Sequence, residues 1–128
     1  MPRKDSNLHN VITVQHVSMY KTVRPQIEAL LDEIRELSKK QPDGKVNKFK
    51  LGFINEKLAD ANTILGPQWM PLRTFEQFDA DDLPSNSDVV LILSQYRGAL
   101  SRWQHDNTSS DGLIGRIWRT DPPMAVDF

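Results

Sequence analysis

At 128 residues, with a formal net charge of −1 and no cysteine, the chain is long enough for one domain to bury roughly two-thirds of its unfolded surface unaided. The near-neutral balance excludes a global field for nucleic acid or membranes, and the missing thiols exclude disulfides, thiolate nucleophiles and cysteine-held zinc. The longest apolar run, VVLIL, is too short to span a bilayer and no secretory core follows MPRKDSNLHN, so the expectation is a soluble chain at home in a reducing cytoplasm.

In chain order, residues 1–9 read as a polar lead-in, and NVITVQHVSMY, rich in β-branched residues, reads as a strand. A helix is expected from Thr22 to Lys40. There Tyr20, Val23, Ile27, Leu30, Ile34 and Leu37 recur at helical spacing, with Leu31 widening the stripe. Thr22 as N-cap would put Pro25 in the first turn, where no intrahelical donor is lost. Arg24/Glu28 and Glu36/Lys40 are spaced as opposite-charge pairs on one face.

QPDG, with Gly44 at its exit, reads as a tight turn into a second helix from Val46 to Leu65. Leu51, Ile54, Leu58, Ala61 and Leu65 mark its buried side, Phe53 adds bulk beside them, and Gly66-Pro67 ends it. So short a turn predicts an antiparallel helical hairpin. The connection 66–85 is long and apolar, carrying Trp69, Met70, Leu72, Phe75 and Phe78. We expect Thr74 to cap a short helical turn near residues 74–78, with the aromatics closing the bundle. Trp69, between two prolines, is expected in extended backbone.

DVVLILSQY has the composition of a strand, yet Val89, Ile92, Leu93, Tyr96, Ala99, Leu100 and Trp103 follow one helical face. Ser85 and Asp88 have capping-box spacing, so residues 88–105 read as a third helix. LIGRIWRT then suggests a short strand pairing with residues 11–17, and DPPMAVDF a surface tail. The fold class expected is mostly α: a small bundle of three main helices plus a short helical turn, with a minor β pair formed by the terminal segments. The whole of 1–128 forms one domain, with 1–9 and 121–128 peripheral.

No catalytic, metal or cofactor motif is present. His9, His16 and His105 lack ligand spacing, and Asp79, Asp81, Asp82 and Asp88 lack the mid-loop glycine and closing glutamate of a calcium loop. Two features stand out. Lys39, Lys40, Lys45, Lys48 and Lys50 gather around the QPDG turn, expected opposite the acidic 76–88 segment, with the third helix delivering Arg102 to the basic end. Trp69, Met70 and Phe75 are the residue types that anchor interfaces.

The function expected is therefore a protein-interaction or accessory module, a homo-oligomer or a subunit of a larger assembly, with protein as the partner. The alternatives are anion or nucleic-acid binding through the lysines and Arg102, or an enzyme with a site near His105 beside Arg102 and Asp106.

Overall fold

The computed structural model describes residues 12–113 and 115–126. The lead-in 1–9, His9 and the first residues of the expected strand lie outside them. Three helices, α1 (Val14–Lys40), α2 (Lys48–Trp69) and α3 (Asn86–Asp106), precede a small sheet of β1 (Thr108–Asp111), β2 (Gly115–Trp118) and β3 (Met124–Ala125). The mostly α expectation holds, and no described helix is long and apolar enough to cross a membrane.

α1 starts eight residues before the expected Thr22. Its cap is Thr13, whose Oγ1 accepts from the His16 amide at 3.1 Å, while the Thr13 amide donates to His16 Nδ1 at 3.4 Å. The expected strand over 10–20 is therefore helix from Val14 onward: burial of Val17 and Tyr20 on the α1 seam overrides their β preference. Thr22 sits inside the helix and donates to the Ser18 carbonyl at 3.3 Å, and Pro25 occupies an exposed interior position. The buried seam is Val17, Tyr20, Val23, Ile27, Leu31 and Ile34; Leu30 is only half-buried and Leu37 is exposed. Lys39, not Lys40, pairs with Glu36, at 2.9 Å, and Arg24 pairs with Glu28 as expected.

α2 is capped by Asn47, which accepts from the Lys50 amide at 2.8 Å. Gly66 breaks its dihedrals at φ 68, ψ 171, a region essentially reserved for glycine, and one further turn carries Pro67 to Trp69. Trp69 thus belongs to the helix end, and extended backbone begins at Met70.

The connection does not form the expected helical turn at 74–78; it runs back along α2 in turns and bends. Asn55 acts as a two-point clip, donating to the Phe78 carbonyl and accepting from the Phe78 amide, both at 2.9 Å. Asn62 donates to the Glu76 carbonyl at 3.2 Å. Trp69, Met70, Phe75 and Phe78 pack on the core, so the aromatics cover a flank of the bundle rather than its end.

That return brings the chain back to the QPDG turn before α3 begins. The Asn86 and Ser87 amides, which no helix can satisfy internally, donate to the Gly44 and Pro42 carbonyls at 2.8 and 3.0 Å. The Asn86 side chain adds a bond to the Gln41 carbonyl at 2.9 Å. Ser85 caps the helix by accepting from the Asp88 amide at 3.1 Å. α3 therefore runs antiparallel to α1 and parallel to α2, with Val89, Leu93, Tyr96, Ala99, Leu100 and Trp103 buried.

The sheet is an antiparallel meander ordered β1-β2-β3. β2 pairs with residues 108–111 and 124–125, not with 11–17, which α1 has absorbed. Part of the expected surface tail is thus a strand. Trp118 seals the sheet onto the bundle, its ring 5.3 Å from Tyr20 and 5.7 Å from Trp103, although its indole N–H has no partner among the described residues.

Candidate functional sites

The turn that joins α1 to α2 is polar, short and clipped to the start of α3, and this fixes where the lysines lie. Lys39 is paired with Glu36 and Lys50 with Glu33, each at 2.9 Å, while Lys40, Lys45 and Lys48 have no ion pair among the described residues. Lys45 bridges Ser85 through the backbone and lines a shallow hollow with Asp79, Asp82 and Asp88. The acidic segment therefore reaches the same end as the lysines instead of the opposite one. Its carboxylates also serve local geometry, since Asp79 Oδ1 accepts from the Asp81 amide at 2.8 Å. Because α3 starts rather than ends at this turn, Arg102 lies far from the lysines. Sixteen residues separate it from Asn86, about 24 Å of helix at the usual rise. Its guanidinium folds back beside Gly98, 3.4 Å from where a Cβ would stand.

Trp69, Met70 and Phe75 are half-buried against the core, and Phe75 meets Phe78 edge-on at 4.9 Å. The exposed aromatics lie elsewhere. On the outer face of α2, Phe49 is 75% and Phe53 47% exposed, and their rings meet edge-on at 5.1 Å. Between them Gly52 is bare, with nothing within 4 Å of a Cβ placed on it. The i, i+3, i+4 spacing of Phe49, Gly52 and Phe53 was visible in the sequence. Spacing alone does not mark it as a surface, because Phe53 falls beside the buried stripe of α2 in the sequence.

A second place combines polar groups at the far end of the bundle. Arg24 reaches from α1 across to α3, where its Nη2 donates to Ser101 Oγ at 2.9 Å and its Nη1 to Gln104 Oε1 at 3.2 Å. The same guanidinium donates to Tyr20, which in turn donates to Gln104 Oε1 at 3.1 Å. Burial holds the Tyr20 phenol above its usual pKa, so it stays a neutral donor. Beside this network lies a cleft of about 300 Å³ lined by Ser101, Gln104, His105, Thr108, Arg116 and Val126. The structure thus brings His105 to a cleft with Arg116, a pairing the sequence did not suggest, and leaves Arg102 and Asp106 off its lining. His16 is absorbed in the cap of α1.

Compared with known proteins, the chain matches no family model, no curated sequence and no solved structure.

Proposed function

We propose that the protein is an interaction module that pairs with a second copy of itself through the outer face of α2. The carrying observation is the exposed Phe49–Phe53 pair flanking a bare Gly52. The inner face of α2 already buries Leu51, Ile54, Leu58, Ala61, Ile64 and Leu65, so the two phenylalanines contribute nothing to the core. Two exposed aromatic rings side by side favour burial against a partner, where such side chains anchor contacts.

Self-pairing follows from the sequence of this face. A two-fold contact matches a surface with itself, so each charge needs its complement at the mirrored position. Lys48 and Glu56 stand four residues to either side of Gly52, both exposed. An antiparallel pair of α2 helices crossing at Gly52 brings Lys48 of one copy toward Glu56 of the other, while the missing Cβ lets the backbones approach. This reading places the interface on Phe49 and Phe53 rather than on Trp69, Met70 and Phe75, and it suits a module working in the cytoplasm.

Size-exclusion chromatography with light scattering tests it. The expected mass is twice 14.7 kDa, falling to that of one chain in a Phe49→Ser/Phe53→Ser variant whose melting temperature is unchanged. A single-chain mass for the parent protein at high micromolar concentration overturns the proposal.

A further inference from the structure

We propose that the cleft between the end of α3 and the sheet is a binding site for a small oxyanion, a short-chain carboxylate or a phosphate monoester. The reasoning is a count of which hydrogen-bonding groups are already committed. Gln104 Oε1 accepts from both Arg24 and Tyr20, so the side-chain amide is fixed with its oxygen turned to α1 and its NH2 left over. Ser101 Oγ accepts from Arg24, which leaves the Ser101 hydroxyl proton to donate elsewhere. The proton of the Thr108 hydroxyl is committed: it donates to the Gln104 carbonyl at 2.9 Å, and the oxygen accepts from the Arg116 guanidinium. Arg116 spends one N–H on that contact and has no carboxylate within ion-pair distance among the described residues. The protons the lining still offers come from a guanidinium, an amide NH2 and a hydroxyl, with His105 at the rim.

Among the described residues, no carboxylate lines the cleft. The helix end behind it would repel an anion through its bare carbonyls, and two of its last four are covered. The Trp103 carbonyl accepts from Asn107 Nδ2 at 2.9 Å and the Gln104 carbonyl from Thr108. A lining whose free protons surround one fixed positive charge favours a ligand rich in acceptors. Val126 adds an apolar wall, and the volume sits at the small end of ligand cavities, which suits a few-carbon anion. The arrangement is independent of the α2 face, since it involves no residue of that helix.

Two-dimensional amide NMR tests the assignment on the full chain, with butyrate and inorganic phosphate as probes and sodium chloride at matched ionic strength as control. Saturable shifts at Ser101, Gln104, Thr108 and Arg116 with either probe, absent with chloride, are expected; the tighter probe tells the carboxylate from the phosphate source. Arg116→Gln should weaken binding at least about tenfold, the usual loss for one charged hydrogen-bond partner. Gln104→Glu should do the same while keeping the fold, because its carboxylate still accepts from Arg24 and Tyr20 but replaces the free donors. Linear, non-saturating shifts with both probes, or full affinity retained in both variants, overturn the proposal.

Discussion

Leu93 is fully buried in the middle of α3, between the seam of α1 and the inner face of α2. Truncating it leaves a cavity that neighbours on three helices cannot fill, so Leu93→Ala should lower stability by about 2–5 kcal/mol. A denaturant melt that shifts by a few tenths of a kcal/mol would mean another face of α3 carries the core. Burial is legible in the sequence where the periodicity is long: Leu31, Ile34, Leu58, Leu93, Leu100 and Trp103 are all buried. A side chain's role is not legible where it depends on a distant partner. Nothing local marks Asn55, Asn62 or Asn86 as clips, because each satisfies backbone belonging to another segment. Arg24 is legible only as the partner of Glu28; its reach to Ser101 and Gln104 spans 77 and 80 positions of sequence.

Among the elements, α3 was legible from both its stripe and its Ser85 cap. The start of α1 was not, since T-x-x-H replaces the glutamate or glutamine that marks a capping box and the residues around it are β-branched. The earlier start of α1 also decides the β2 partner, since residues 14–17 are helical and unavailable to a sheet. The return connection hid the topology. A long apolar loop says that it is buried somewhere, but only the Asn55–Phe78 clip says where, and the position of the acidic segment follows from it. Asn55→Ala removes both bonds and leaves the Phe78 amide and carbonyl without partners in a half-buried setting. Stability should fall by about 1–3 kcal/mol, with faster amide exchange at 76–83. Unchanged exchange across that segment would show that Phe75 and Phe78 hold it without the clip.

Across the whole molecule, the two tyrosines set the response to alkali. Tyr20 and Tyr96 are both raised above the usual 10.0, chiefly by burial. The unfolded chain therefore releases these protons at a pH where the folded one keeps them. Their contribution is fully present below the unfolded value and is lost as pH rises through the folded values, so stability should decline above about pH 10. Tyr96 donates to Asn62 at 2.7 Å, coupling α3 to the helix that holds the connection. A Tyr20→Phe/Tyr96→Phe variant should show a flatter decline in denaturation midpoint between about pH 9.5 and 11. An equally steep decline in parent and variant would place the alkaline sensitivity in other groups.

The clip between the QPDG turn and the first turn of α3 has a mechanical side. α3 is pinned to α1 at one end by Asn86 on Gln41 and Gly44, and at the other by Gln104 on Tyr20 and Arg24. A rod fastened at both ends cannot slide along its neighbour without breaking both fastenings together, so α1 and α3 behave as a rigid chassis. α2 is tied to that chassis by its side chains and by a connection that crosses its flank, and its helical dihedrals are interrupted at Gly66. The residue leading into α2 is fastened beside the start of α3 as well, since the Val46 amide donates to the Pro84 carbonyl at 2.9 Å, so the end of α2 that carries Phe49 and Phe53 is presented from a fixed base.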